Sequence, residues 1–239
     1  MTLPELFGCA FVAFGPPFAL FVFSIANDPV RIIILIAAAF FWLLSLLLSS
    51  LLWFAVVPLR DVLAFGVVFS VLFQECFRYI IYRILRSTEQ GLHAIAEDTR
   101  ITENKHILAY VSGLGFGIIS GMFALVNVLA DMTGPGTMGL KGGTELFFMT
   151  SAAQALSIIL LHTFWSIIFF NAFDTNNYLH IGYVVVTHLF VSLLTLLNVD
   201  ALYWATLLPN YIVTILTGVL AFKVAGGSGK SFKRFIMCR

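Results

Sequence analysis

Two histidines and one glutamate lie deep inside apolar stretches of this sequence, where ionisable side chains are rare. His162 and His188 are equidistant from residue 175, which falls in a predicted turn, so both imidazoles should lie at equal depth on neighbouring antiparallel helices. Glu75 is predicted at a similar depth, because each of the three lies about nine residues, or ~14 Å, from the same end of its helix. Two imidazoles and a carboxylate at one level could bind zinc and activate a water molecule for hydrolysis.

Three features of the sequence argue against such a metal site. No His-Glu-x-x-His pattern occurs, and Arg78 competes for the Glu75 carboxylate. A second acid in the same layer is also missing, because the other candidates fall near predicted helix ends: Asp131, Asp174 and Asp200. We therefore favour histidines that hydrogen-bond inside a helix bundle, to each other, to backbone or to the hydroxyl groups of Thr163, Ser166 and Thr187. The metal hydrolase remains the alternative.

A polar cluster of Gln74, Glu75 and Arg78 interrupts another apolar segment. Glu75 and Arg78 are three residues apart, so they share one helix face and can neutralise each other. Two interpretations remain open. In the first, Arg78 extends toward the lipid headgroups with Glu75 as its counterion. In the second, the cluster is a buried polar network that fixes spans two, three and four and leaves a groove for a partner's tail.

Three glycines recur every four residues in one apolar segment, at Gly113, Gly117 and Gly121. At 3.6 residues per turn they lie on one helix face, and Gly115 falls off that face. Small residues spaced in this GxxxG manner let two helices approach closely in lipid, where burial of apolar surface drives no association. The strip predicts a close helix contact, either within the chain or with a partner.

The composition indicates a membrane protein. Hydrophobic residues make up 60% of the 239 residues and charged residues 10%, against the ~25% charged of ordinary soluble domains. This balance excludes a water-soluble globule. The net charge is +1 and the basic residues lie at segment ends, so they form no face that could follow a phosphate backbone. Nucleic acid is excluded as a partner on this ground.

The apolar segments predict an all-α bundle of seven transmembrane helices, because each is long enough for the ~20 residues of a span. The chain is then one polytopic membrane domain over residues 1–239. No internal repeat is visible, which disfavours a transporter built from two halves, although a small transporter or receptor remains an alternative. The predicted helices cover residues 3–26, 32–57, 62–84, 107–131, 146–171, 179–198 and 206–224.

The distribution of basic residues predicts the orientation, since cytoplasmic segments carry more Lys and Arg. Arg60 and Lys141 fall on one side of the predicted bundle. We therefore expect a lumenal or extracellular N-terminus and a cytoplasmic C-terminus. The weak point is the loop at Asp174, which contains no basic residue. The other side receives Arg31, Arg83, Arg86, Arg100, Lys105, Lys223, Lys230, Lys233, Arg234 and Arg239.

Particular strings of residues also match a known family. They are Phe7-Gly8-Cys9, Phe14-Gly15-Pro16, Asp28-Pro29-Val30-Arg31, Phe40-Phe41-Trp42, Gln74-Glu75-Cys76-Phe77-Arg78, Tyr110-Val111-Ser112-Gly113 through Gly121, Leu161-His162-Thr163-Phe164-Trp165 and His188-Leu189. With them the chain resembles the anterior-pharynx-defective (Aph) subunit of gamma-secretase along essentially its whole length. One departure is the loop Asp174-Thr175-Asn176-Asn177, which is basic in some relatives, so a role for that charge does not carry over.

The resemblance implies a non-catalytic scaffold without a cofactor. It would assemble with presenilin, nicastrin and the presenilin enhancer subunit into an intramembrane aspartyl protease that cleaves Notch- and amyloid-precursor-like type I membrane proteins. In the family presenilin contributes the two catalytic aspartates, and this chain offers no such pair. The family's paired histidines map onto His162 and His188 and are associated with assembly. The resemblance also implies a multi-pass protein of the endoplasmic reticulum, Golgi and plasma membrane.

Overall fold

The computed structural model of the chain describes residues 3–59, 61–95, 105–133, 145–200 and 202–229. Over these ranges, seven helices are long and apolar enough to cross a membrane. The predicted all-helical membrane class is therefore confirmed. Several basic residues that entered the orientation argument lie outside the described residues: Arg60, Arg100, Lys141, Lys230, Lys233, Arg234 and Arg239.

The helices follow the predicted order with shifted ends. Two short 3₁₀ segments, Val57–Leu59 and Thr195–Asp200, follow the second and sixth helices. The predicted sixth span, 179–198, agrees with the observed span Tyr178–Asn198, whose α-helical part ends at Leu194 and continues as 3₁₀ helix. The seven helices are α1 (Leu3–Ser24), α2 (Pro29–Ala55), α3 (Leu63–Ile95), α4 (Lys105–Thr133), α5 (Glu145–Asp174), α6 (Tyr178–Leu194) and α7 (Tyr203–Val224).

The largest correction concerns the end of α3, which was predicted at residue 84 and lies at Ile95. Polar residues continue the helix because they have partners in the fold. Arg86 Nε donates to Asp174 Oδ1 over 3.0 Å, and its Nη2 pairs with the other carboxylate oxygen. The Tyr82 hydroxyl donates to the same Oδ1 over 3.0 Å, and Glu89 flanks Arg86 one turn later. The acidic loop after α5 is thus neutralised by a cation on α3.

Local chemistry explains where α2 and α6 begin. The Asp28 carboxylate accepts from the backbone N–H of Val30 over 3.0 Å, and Pro29 occupies the first helical position, where it needs no N–H partner. Asn177 caps α6 through the backbone N–H of His180. Asn176 adopts a left-handed conformation with φ of 55°, which asparagine tolerates, and this makes the turn between α5 and α6 tight.

The bundle is organised around α4 and α5, in each of which more than half of the residues of the spanning window are buried. These two helices pack along each other, α2 covers α4, and α1 and α7 cover α5. α6 lies between α3 and α5. Helix α5 has no separate polar and apolar faces because protein surrounds most of it, and polar residues such as His162 and Ser166 are buried among the apolar ones. The other helices present one face to the core and large apolar side chains outward.

Candidate functional site

Arg78 and Glu75 form a fully buried ion pair on α3. Arg78 Nε donates to Glu75 Oε2 over 3.1 Å, and Arg78 Nη2 donates to Glu75 Oε1 over 3.2 Å. The exposed fraction of Arg78 is 0% and that of Glu75 is 6%. The interpretation in which Arg78 extends toward the headgroups is therefore wrong. The guanidinium turns inward because its acceptors lie on α5.

Every N–H of Arg78 has an acceptor. A guanidinium has five N–H donors, and two of them bind Glu75 in the bidentate manner described above. Nη1 donates to the His162 carbonyl over 3.2 Å and also to the Ser166 hydroxyl. Nη2 donates its second hydrogen to His162 Nδ1 over 2.9 Å. The Phe116 ring on α4 covers the guanidinium carbon at 5.2 Å. A charge that is paired and saturated in this way can remain in a membrane interior.

The two histidines take different partners. His162 Nδ1 must accept from Arg78, because a guanidinium can only donate, so this imidazole carries its proton on Nε2 and is neutral. His188 Nδ1 lies 2.6 Å from Glu75 Oε1 and donates to the carboxylate. The ring centroids of the histidines are 5.0 Å apart and nearly perpendicular. His188 also stacks on Trp165 at 4.4 Å. The network therefore joins α3, α5 and α6.

These partners differ from those expected from the sequence. The imidazoles contact each other as rings, and their hydrogen bonds go to Arg78 and Glu75. Of the predicted hydroxyl partners, Ser166 binds Arg78, while Thr187 accepts from the Trp165 indole over 3.0 Å. The Nδ1 atoms of both imidazoles and both oxygens of Glu75 are thus engaged within the protein. In the part of the chain that the structure describes, no three His, Cys, Asp or Glu side chains are grouped to hold a metal ion.

The glycine strip of α4 faces α5. A Cβ atom added to Gly113 would lie 2.8 Å from the Cα of Thr163, and one added to Gly117 would lie 2.5 Å from the carbonyl oxygen of Ile159. Real Cβ atoms essentially never come so close, so the two backbones touch only because these residues are glycine. At Gly121 the nearest neighbour is the flexible tip of the Ile159 side chain, at 2.5 Å. The close contact is therefore internal to the chain.

The glycine contact and the ionic network meet at one place. A Cβ on Gly113 would lie 2.7 Å from Ser166 Cβ and 2.9 Å from the His162 carbonyl oxygen. Both residues supply acceptors to Arg78. Gly113 thus fixes the distance between α4 and the part of α5 that holds the guanidinium. We define Glu75, Arg78, His162, Ser166 and His188 as the ionic network.

Comparison with known proteins shows the family of the chain. The family model described as Aph-1 protein matches residues 4–228. This chain belongs to the Aph-1 family. It is 84% identical to gamma-secretase subunit Aph-1 of Drosophila melanogaster, and the match covers the whole of both chains. It is 48% identical to gamma-secretase subunit Aph-1b of Danio rerio and 47% identical to putative gamma-secretase subunit APH-1C of Mus musculus, with all of this chain and 95% of each relative covered.

Gln74, which belongs to the same polar cluster as Glu75 and Arg78, connects α3 to α2. Its Oε1 accepts from the Trp42 indole over 3.1 Å, and its Nε2 donates to Ser70 over 3.1 Å. Gln74, Ser70 and Ser49 help to line a groove of about 370 Å³ beside α2 and α3. The sequence predicted one network across spans two, three and four, and the structure corrects this. Gln74 joins spans two and three, whereas Glu75 and Arg78 join span three to spans five and six.

Two features of this Aph-1 fold were missed in the sequence. Gly115 makes a second close approach, because a Cβ there would lie 2.4 Å from the Leu35 carbonyl oxygen on α2. The sequence signal was present, since Gly115 occupies the opposite side of the glycine-rich helix. The second missed feature is a buried polar stripe on α7, visible in the sequence as polar residues spaced by three or four: Thr206, Asn210, Thr214 and Thr217.

Proposed function

We propose that this Aph-1 protein is a non-catalytic scaffold subunit of gamma-secretase. Its full-length similarity to proteins named gamma-secretase subunits supports membership of that complex. The observation that carries the scaffold role is the saturated ionic network, in which a buried cation and a buried carboxylate are used to join three helices. Such a network holds the helices in one arrangement.

The carboxylates support a non-catalytic role. An aspartyl protease needs two carboxylates that share one layer and one proton. Among the side chains that the structure describes, Glu75 is the only carboxylate in the middle of a span, and both its oxygens accept from Arg78 or His188. We infer that the catalytic pair comes from another subunit.

The proposed partners are presenilin, nicastrin and the presenilin enhancer subunit, and the proposed substrates are type I membrane proteins such as Notch- and amyloid-precursor-like proteins. Large apolar side chains on the outer faces of α1, α2 and α7 offer surfaces for neighbouring spans and lipid. The groove beside Gln74 offers a polar floor for the tail of a partner chain. We propose that the complex resides in the endoplasmic reticulum, Golgi and plasma membrane.

We also propose that the C-terminus is cytoplasmic and the N-terminus lumenal or extracellular. The described cations Arg31, Arg83, Arg86, Lys105 and Lys223 lie near the same end of the bundle, at the end of an odd-numbered helix or the start of an even-numbered one. This bias fits the positive-inside rule. An antibody against a C-terminal epitope should bind permeabilised cells and should not bind intact cells. Binding to intact cells would reverse the orientation.

The function is tested by purifying the tagged full chain alone and with the three proposed partners, and by measuring cleavage of a type I transmembrane substrate. The chain alone should show no proteolysis, whereas the complete set should cleave the substrate. A presenilin whose two membrane aspartates are replaced is the matched control, because it should assemble and yet abolish cleavage. Proteolysis by the isolated chain would contradict the proposal, as would failure to co-purify any partner.

A further inference from the structure

Asn210 of α7 is a fully buried amide that lacks a protein partner. Its exposed fraction is 0%, and among the described residues neither Oδ1 nor Nδ2 reaches a hydrogen-bond partner. Unpaired polar groups are especially costly in the interior of a membrane. Asn210 therefore requires another hydrogen-bonding group.

The neighbouring polar residues of α7 do not have this problem. The Thr206 hydroxyl oxygen lies 2.8 Å from the Tyr203 carbonyl oxygen and 2.8 Å from Asn198 Oδ1, and the hydroxyl can donate to either. The Thr214 hydroxyl lies 2.6 Å from the Ser157 hydroxyl of α5. The Thr217 hydroxyl lies 2.9 Å from that of Tyr183 on α6. Asn210 is thus the exception within a stripe that is otherwise satisfied.

The register of α5 against α7 places a second amide, with an unpaired nitrogen, on the α5 side of the interface. Odd-numbered spans run in the same direction, so α5 and α7 are parallel, and Ser157 faces Thr214. One turn earlier on the two helices come Gln154 and Asn210. The register is supported from the other side by the Tyr211 hydroxyl, which donates to the Ala153 carbonyl over 3.0 Å. Gln154 Nε2 is buried and also lacks a partner among the described residues.

We propose that Asn210 and Gln154 together bind structural water between α5 and α7, inside the membrane. The two amides present both donors and an acceptor, and a water molecule can accept and donate at the same time. A cation fits less well, because neither amide, nor the Ser157–Thr214 pair beside them, supplies a compensating negative charge. Two neighbours of Asn210 on α7, Tyr211 and Thr214, line a groove of about 770 Å³ between the two helices, although neither amide lines it.

The bound water would complete a polar seam that holds α7 against α5. In this seam the hydroxyl groups of Ser157 and Thr214 bond to each other directly. The two amides one turn earlier would bond through the water. Loss of either amide would strand the other in an apolar environment. The stability effects of the two amides are therefore coupled through the water, although the amides make no direct bond.

The primary test is a density map of the unaltered full chain in its complex, in which waters at other buried polar groups are resolved. The expected result is density within about 3.2 Å of the Asn210 amide that also lies within reach of Gln154 Nε2. A direct bond between the two amides would overturn the proposal. So would a site without density, or density bound to one amide alone.

A double-mutant cycle provides the second test, with the yield of intact complex as the measurement. Asn210→Leu should lower the yield roughly threefold for each membrane hydrogen bond lost, and Gln154→Leu should act similarly. The double variant should lose less than the product of the two, because no amide remains stranded. If Asn210→Leu fails to fold, Asn210→Ala also removes the amide, with less bulk, and enters the cycle in its place. Independent effects of the two substitutions would contradict a shared water.

Discussion

A single methyl group added at Gly113 or Gly117 should strongly destabilise the folded chain, while the same change at Gly182 should be harmless. The added Cβ would meet α5 backbone at 2.8 Å and 2.5 Å at the first two positions, and it would meet nothing within 4 Å at Gly182. Overpacking of this kind typically costs about 1–3 kcal/mol. Alanine is also a better helix former than glycine by up to ~1 kcal/mol, so a loss would reflect packing alone.

The measurement is the folded fraction after heating in mild detergent, together with the yield of complex. The folded fraction of Gly121→Ala should lie between those of the Gly113 and Gly182 variants, because the Ile159 side chain can rotate away from the new methyl group. Gly8→Ala is a second control in open space. Leucine at Gly113 or Gly117 should aggravate the loss and still permit membrane insertion, since leucine favours insertion. Equal tolerance of alanine at all five positions would remove the close-approach argument.

Gly113 should differ from Gly117 in one respect. Its new methyl group would press on Ser166 and on the His162 carbonyl, which both accept from Arg78. The Gly113 variant is therefore expected to be non-additive with Arg78 substitutions, whereas the Gly117 variant should be additive with them. Comparing the two variants therefore shows whether the Gly113 substitution disturbs the ionic network or only moves α4 and α5 apart.

The sequence predicts the number and order of the helices because apolar length and polar breaks are local properties. It does not predict how far α3 continues, because Arg86 is satisfied by Asp174, which lies 88 residues later in the chain. An isolated polar stretch looks like a loop in the sequence, and the contact with the distant carboxylate stabilises it as helix at Arg86. The same tertiary contact explains why an acidic loop after α5 is compatible with the side that carries most cations.

The site shows the same division between local and distant information. Equal spacing from the α5–α6 turn predicts that His162 and His188 are at one depth, and the structure places their rings 5.0 Å apart. The direction of the Arg78 side chain could not be predicted from the sequence, because a long side chain can point either toward the lipid headgroups or into the bundle. Acceptors on α5 decide between the two, and their positions depend on the packing of α4. Periodicity identified one glycine face and overlooked Gly115, which required knowledge of α2.

The second large effect is expected when one charge of the Glu75–Arg78 pair is left alone. Arg78→Met preserves length and removes the cation, so Glu75 keeps only His188 as a partner. Breaking a buried ion pair in this way costs about 3–5 kcal/mol in soluble proteins. Complex yield and folded fraction should therefore fall sharply. Glu75→Gln should also be damaging, since it leaves the guanidinium without a negative charge.

The double variant Glu75→Gln/Arg78→Met should recover part of the loss, because it strands no charge, and replacing both partners of a buried pair is often tolerated. Alanine at His162 or His188 should cost less, since membrane hydrogen bonds average ~0.6 kcal/mol and reach about 1.7. His162→Ala should couple most strongly to Arg78 substitutions and His188→Ala to Glu75 substitutions, following the observed bonds. Additive losses for Glu75 and Arg78 would contradict a neutralised pair. Zinc bound one per chain and lost on His162→Ala would instead favour the metal-hydrolase alternative, since a structural network needs no metal to hold α3, α5 and α6 together.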